Sequence, residues 1–401
     1  MELARRNLLQ SAIMAGLAAG LPSGLLAVAP VPTGVVETTG GKLRGQREGS
    51  VSVFRGVPYG ADTQARRFLA PVKPQPWTGV RDAIAYGHRA PQGASGPPRI
   101  PPGADMQRIT AVMNAFKQGQ VATGNESEDC LYLNVFTPDA SPARKRPVMF
   151  WLHGGGFRLG SANELVYEGG ALAAHGDVVV VTINHRLNAP GYLYLGALHP
   201  DFADSGNAGQ LDQVLALQWV QENIAQFGGD PGNVTIFGQS GGGHKVSCLL
   251  AMPSAKGLFH KAIIQSGPGV RMTPRADAAT YSEKLLSVLG IAPGDVHKLQ
   301  TLDMDVLQRA TLEAQRLVPP GMRTLSPVVD GGALPNDPFD PAAPEVSRNV
   351  PIIVGTNRTE NTLFNIGDPK FGTMTDDDAR QRFRAALKDK GDAAYDFYVK
   401  N

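Results

Sequence analysis

Five short apolar runs, each closing on a glycine-rich or polar turn, constrain this chain more than any other feature. They span residues 148–152, 178–183, 234–237, 262–265 and 351–355. Most are continuous rather than alternating, which is the pattern of strands buried on both faces. Between the second and third runs, Leu211, Val214, Leu215, Leu217, Val220, Ile224 and Phe227 recur at helical spacing, so 211–227 is expected to be a crossover helix. Strand followed by helix followed by strand predicts an α/β fold: a mostly parallel central sheet with helices on both faces. The runs end in His153-Gly154-Gly155, Asn184-His185-Arg186, Gly238-Gln239-Ser240, Ser266-Gly267 and Thr356-Asn357-Arg358. Open parallel sheets bind ligands at the carboxyl ends of their strands, so these turns are expected to outline one site.

Residues 35–57 read as short strands and turns leading into a proline-rich stretch. Residues 91–124, with Pro97-Pro98 and Pro101-Pro102, show no clean period and are expected to form a surface excursion. The length of 401 residues suffices for one large α/β domain, assigned to 30–401. Residues 1–29 are set apart as an export signal: Arg5-Arg6, a weakly apolar run, then Ala27-Val28-Ala29 as a small-x-small cleavage signature. Paired arginines point to twin-arginine export, with the product periplasmic or extracellular, although a general secretory signal or a lipid-interface helix fits the same run. No other stretch approaches the ~20 apolar residues of a membrane span.

A formal charge of +2 gives no electrostatic case for nucleic acid. Cys130 and Cys248 have no spacing that demands a disulfide and are expected to be free thiols, Cys248 as a small buried side chain. Metal-ligand spacings, phosphate loops and internal repeats are absent from the sequence, so no cofactor and no metal are expected.

The chemistry is carried by Phe237-Gly238-Gln239-Ser240-Gly241-Gly242-Gly243. It follows a β-branched run and opens an apolar helical segment. A serine on so sharp a strand-to-helix turn takes a strained backbone conformation, and the glycines two residues either side leave room for it. The helix beginning there aims N–H groups at any oxyanion formed by attack of the hydroxyl. A second glycine cluster, His153-Gly154-Gly155-Gly156-Phe157, follows an earlier apolar run, where the other oxyanion donors are expected.

Several blocks, in order, resemble the type B carboxylesterases, an α/β-hydrolase family. They are Phe54-Arg55-Gly56-Val57-Pro58-Tyr59, Ser127-Glu128-Asp129-Cys130-Leu131-Tyr132-Leu133-Asn134, the glycine cluster at 153–157 and Gly206-Asn207-Ala208-Gly209-Gln210-Leu211-Asp212-Gln213. Phe227-Gly228-Gly229-Asp230-Pro231, the serine turn and Gly355-Thr356-Asn357-Arg358-Thr359-Glu360 complete the set. The resemblance runs from about residue 35 to about residue 365. It implies Ser240 as nucleophile, the N–H groups of Gly155, Gly156 and Gly241 as oxyanion hole, and Glu360 as the acid that orients an imidazole. It also places Arg67 and Glu128 where the family has a structural ion pair.

Two departures bear on activity. Triad order in this fold is serine, acid, histidine, yet all eight histidines precede Glu360. Helical spacing puts His244 one turn below Ser240, pointing away from the mouth; His153 is expected to brace the glycine loop and His185 to pack in its own loop. After Glu360 the sequence predicts a helix capped by Thr375 and Asp378, then a helical stretch from Asp392 to Lys400. The expectation is an esterase that lacks its last strand and helices, with the base beyond Asn401. The second departure is Gln239, where the family carries an acid beside the serine; its neutrality argues against a cationic substrate. The resulting expectation is a serine carboxylesterase working on small-molecule esters through an acyl-enzyme. A binding relative without its triad, and a lipase or acyl transferase on the same scaffold, are the alternatives.

Overall fold

The computed structural model describes residues 31–92, 102–119 and 122–400. The expected export signal, Pro97, Pro98 and Pro101 lie outside the described residues.

Twelve strands are described: β1 (Val31–Glu37), β2 (Lys42–Glu48), β3 (Val51–Pro58), β4 (Val80–Asp82), β5 (Tyr132–Thr137), β6 (Arg146–Leu152), β7 (Val179–Ile183), β8 (Gly229–Gln239), β9 (Lys261–Gln265), β10 (Thr273–Pro274), β11 (Val328–Val329) and β12 (Ile352–Gly355). Ten of them form one sheet in the order β1-β2-β3-β5-β7-β6-β8-β9-β12, with β4 beside β2. Strands β7, β6, β8, β9 and β12 run parallel, while β1, β2, β3, β5 and β7 pair antiparallel. The antiparallel end follows from short connections: Glu48 faces Val51 across a two-residue turn in which Gly49 takes φ 59°. All five apolar runs are strands of the parallel half. The sequence reading did not single out β5, whose residues it used as a motif block.

Both faces of the sheet are covered, and the alternation along each strand shows it. Phe54, Val135, Val179 and Val181 join the large core with Val214, Leu217, Val246 and Leu250 from helices Ala208–Asn223 and Gly241–Ala251. Their neighbours Val53, Phe136 and Val180 point the other way, into a smaller cluster with Ala173 of helix Gly170–Gly176. This is the two-sided α/β arrangement that the apolar runs predict. Helix Ala208–Asn223 is buried almost all round, including Gln210, Asp212 and Gln213. Asp212 is there to meet Arg186: the pair is fully buried at 2.6 Å, and Arg186 also donates to the carbonyls of Leu69 and Ala208. Breaking such a pair on one side costs about 3–5 kcal/mol, because the remaining charge stays buried. Arg67 and Glu128 are likewise buried and hydrogen-bonded, Nε to Oε2 at 2.8 Å, with Arg67 also held by the carbonyls of Leu299 and Leu302.

Two expectations need correction. Residues 91–124 include a 14-residue helix, Met106–Gly119, whose apolar positions Met106, Ile109, Val112, Met113 and Phe116 recur at helical spacing behind the proline-rich stretch that obscured them. Arg108 stacks on Phe371 at 4.6 Å and donates to the carbonyl of Ile366, so this helix lies along the C-terminal part of the chain. The apolar run at 351–355 is a parallel strand, β12, but not a doubly buried one: Ile353 and Val354 are 66% and 55% exposed. It stands last in the sheet order and pairs with β9 alone. Thr375 and Asp378 do form a reciprocal cap at the start of helix Asp376–Leu387, followed by helix Gly391–Lys400. Both cysteines are buried free thiols. Among the described residues no helix is long and apolar enough to cross a membrane.

Candidate active site

Register aligns the carboxyl ends of the parallel strands. Leu152 of β6 sits opposite Gly238 of β8, Gln239 opposite Gln265 of β9, and Gln265 opposite Gly355 of β12. The turns after these strands therefore share one rim, as the sequence predicts.

Ser240 caps the helix Gly241–Ala251 with φ 56° and ψ −121°, a backbone region that L-residues rarely occupy. The surroundings hold it there. Its N–H donates to the carbonyl of Gln265 at 2.9 Å, and its carbonyl accepts the N–H of His244 at 3.1 Å. The flanking glycines are needed for space. A Cβ on Gly242 would stand 2.0 Å from the carbonyl oxygen of Leu152, and one on Gly238 would stand 2.6 Å from the carbonyl carbon of Gly242. The turn is thus pressed against the end of β6, and no side chain fits between them.

The same contact brings the two glycine clusters together. A Cβ on Gly241 would meet the N, Cα and O of Gly156 at 2.4 Å, and one on Gly154 would come within 3.8 Å of Ser240 Cβ. Gly155 and Gly156 turn with φ 88° and 64° and are exposed. Among the described residues neither N–H has a hydrogen-bond acceptor, and that of Gly241 is the first of its helix, where no intrahelical acceptor exists. Ser240, Gly155, Gly156 and Gly241 are therefore brought together: one half-buried hydroxyl beside free backbone donors, the arrangement that stabilises an oxyanion formed at a carbonyl.

Glu360 lies past the end of β12. One carboxylate oxygen accepts the N–H of Asn357 at 2.8 Å, and the side chain lines an open cavity of about 330 Å³ with Arg358, Asn361, Thr362 and Phe371. Its loop is tied to the rim through the N–H of Ser266, which donates to the carbonyl of Gly355 at 2.8 Å. Among the described residues no hydrogen bond or ion pair joins Glu360 to a histidine.

The histidines near the rim are occupied otherwise. His244 donates from Nδ1 to the carbonyl of Ser240 and packs edge-on to Phe157. His153 donates from Nδ1 to the carbonyl of Gly154, inside the glycine loop, and stacks on His185 at 4.8 Å. His185 donates to the carbonyl of Arg186. Burial drives both imidazoles well below the ordinary histidine range, and the nearby Lys245 ammonium adds to the effect. Both are neutral packing groups.

Lys245 had one signal in the sequence, a lysine five residues after Ser240 on a largely apolar helix, that was not taken up. It is fully buried, and its Nζ donates to the carbonyl of His153 at 2.8 Å, directly beneath the glycine loop. Burial lowers its pKa from 10.5 to about 7, opposed by Glu164. Glu164 is itself raised by burial from 4.5 to about 7 while accepting the N–H of Ser161. Lys245 thus sets a buried polar group against the start of the glycine loop.

With this geometry in place, comparison with known proteins is informative. Residues 32–394 match the Carboxylesterase family. The para-nitrobenzyl esterase of Bacillus subtilis (strain 168) is 40% identical over 333 residues, covering 82% of this chain and 63% of that protein. The liver carboxylesterase of Sus scrofa is 39% identical over 355 residues, covering 82% and 59%. Among solved structures, a Geobacillus stearothermophilus carboxylesterase superposes with a TM-score of 0.72 at 39% identity, covering 88% of this chain and 69% of the other. A PNB esterase gives 0.75 at 36%, covering 91% and 71%. The chain thus spans about three fifths of the length of the two relatives named, and across nearly all of its described residues it belongs to the carboxylesterase family.

Proposed function

We propose that this protein hydrolyses carboxylic esters of small molecules through an acyl-enzyme on Ser240. The observation that carries the reading is the contact of Gly156 with Gly241, which sets the strained Ser240 turn against the glycine loop whose Gly155 and Gly156 N–H groups are free among the described residues. In the first step the Ser240 hydroxyl attacks the ester carbonyl, giving its proton to a general base that no described histidine supplies, and the three N–H groups hold the resulting oxyanion. The base returns the proton to the departing alcohol, and water, deprotonated by the same base, then releases the acid. Glu360 is the acid that orients the base in this scheme. Gln239 beside the nucleophile leaves that position uncharged, which supports neutral rather than cationic esters. The match to the family, and relatives named as esterases, support the same chemistry.

The test is hydrolysis of p-nitrophenyl acetate and butyrate by the native protein from its host, against its Ser240→Ala variant. A loss of roughly a thousandfold or more in kcat is expected with folding intact. A variant hydrolysing at the native rate overturns the assignment.

The reading extends to location. Arg5-Arg6, the apolar run and Ala27-Val28-Ala29 support export of residues 30–401 as one domain, to the periplasm or beyond. Residues 1–29 fused to a reporter should carry it out of the cytoplasm; a fusion that stays inside, or one indifferent to Arg5→Lys/Arg6→Lys, overturns twin-arginine export. No nucleic-acid partner is proposed, in line with the near-neutral charge.

A further inference from the structure

Away from the rim, two segments remote in sequence bring together three groups that bear lone pairs. His199 caps a single helical turn, Pro200–Phe202, that contains Asp201, and His297 lies in the helical segment Pro293–Thr301. One nitrogen of each imidazole and a carboxylate oxygen of Asp201 all lie within 4.8 Å of one another. Oδ2 of Asp201 is 3.6 Å from Nδ1 of His199 and 3.6 Å from Nε2 of His297.

The hydrogen bonds around the cluster decide where the protons are. Nε2 of Gln300 donates to the carbonyl of Arg67 at 3.1 Å, which turns its Oε1 toward His297. That oxygen lies 3.4 Å from Nδ1 of His297 and can only accept, so Nδ1 carries the proton and Nε2 faces Asp201 with a bare lone pair. Nδ1 of His199 accepts the N–H of Asp201 at 3.2 Å, so it too is unprotonated. The carboxylate oxygen thus faces one bare imidazole lone pair, on His297, and a second on His199 that is held by the Asp201 N–H and comes free only when that 3.2 Å bond yields to a cation. Ligand atoms of a tetrahedral zinc site stand ~3.3 Å apart for bonds of about 2.0–2.1 Å. The two His–Asp distances of 3.6 Å therefore need to close by a few tenths of an ångström, while the imidazole nitrogens, within 4.8 Å of each other, must draw together as the ion binds. A carbonyl that fixes the tautomer from behind is the usual outer support of a metal-bound histidine.

The backbone beneath is firmly held. Phe202 is buried, with its ring 4.9 Å from that of His297 and 6.2 Å from that of His199. Val296 and Leu299, either side of His297, are buried in the same cluster. The side chains of His297, Asp201 and Gln300 line an open cavity of about 390 Å³ together with Arg66 and Asp204, so a fourth position is open to water or a small anion.

We propose that His199, Asp201 and His297 form a site for one divalent transition-metal ion, of the zinc class, that clasps the turn at 199–202 to the segment at 293–301. Two imidazoles and one carboxylate favour zinc over calcium or magnesium, which take oxygen ligands. Sequence spacing does not disclose the site, because a His-x-Asp pair acquires its second imidazole only through folding.

The test is calorimetric titration of the untagged, EDTA-treated full chain with Zn²⁺, and with Mg²⁺ as a control. One Zn²⁺ per chain and a rise in the thermal midpoint are expected, with Mg²⁺ giving neither. His297→Ala and Asp201→Asn should lower the affinity at least tenfold while leaving the EDTA midpoint unchanged, since both side chains are exposed. Gln300→Leu should weaken binding by roughly 10- to 100-fold through loss of tautomer control. Co²⁺ bound to the wild type should give the intense visible bands of four-coordination. Failure to bind Zn²⁺, or equal binding by His297→Ala and Asp201→Asn, overturns the site and leaves the cluster an ordinary His–Asp ion pair.

Discussion

The turns carrying Ser240 and Glu360 close strands separated only by β9, yet they are held in opposite ways. The Ser240 turn is gripped from three sides: β9 through the Gln265 carbonyl, the end of β6 through contacts too close for any Cβ, and the glycine loop through Gly156. The Glu360 turn follows a strand whose side chains are largely exposed, and its carboxylate is anchored by one backbone N–H. A strained backbone persists only where its surroundings over-determine it, and of these two turns only the first is so placed. The geometry of Ser240 is therefore a property of the whole sheet, whereas that of Glu360 is a property of its loop.

The largest effect expected from breaking the first grip is that of Gly242→Ala. Its Cβ would be driven into the Leu152 carbonyl, and a loss of about 4 kcal/mol or more, or failure to fold, is expected in urea denaturation. Stability near that of the native chain would show that the close approach is not required. Next comes a matched pair. Ile236 in β8 is fully buried and Ile353 in β12 is 66% exposed. Ile236→Ala should cost about 2–5 kcal/mol, and Ile353→Ala within about 1 kcal/mol. Equal losses would erase the contrast between the two strands.

A smaller effect should appear in the pH dependence of stability. Lys245, held near 7 against 10.5 when unfolded, binds fewer protons in the folded chain between those values, so its contribution to stability grows as pH rises through that window. Glu164, raised from 4.5 to about 7, holds a proton the unfolded chain has lost, so its contribution falls as pH rises from 4.5 to 7. The two together place a shallow minimum near neutrality. Lys245→Met should abolish the rise above pH 7, read as unfolding free energy at pH 7, 8 and 9; parallel curves for the variant and the native chain would contradict the buried-cation account.

How much of this was legible in the sequence follows from where each constraint acts. Doubly buried strands must be continuously apolar, so residues 148–152, 178–183, 234–237 and 262–265 announced the parallel sheet. The serine turn was legible because strand, helix and paired glycines are all local. The exposure of β12 was not, since an apolar run records what a strand can bury and not what lies over it. Helix Met106–Gly119 does carry apolar residues at helical spacing, Met106, Ile109, Val112, Met113 and Phe116, but that short period was lost among the prolines that precede it. Lys245 on the largely apolar helix after Ser240 was a hint in the sequence, but only its position against His153 shows a buried cation.

The sequence by itself determined the parallel half of the sheet, the crossover helix, the strained serine turn and the family, because period, glycine placement and motif order are properties of neighbouring residues. Tertiary structure alone decided that Gly156 touches Gly241, that Lys245 underlies the glycine loop, that Asp212 neutralises Arg186, and that His297 meets Asp201. Each of these joins segments far apart in the chain. Such contacts are set by how elements pack and by which buried charges then require a partner, and no local pattern encodes either.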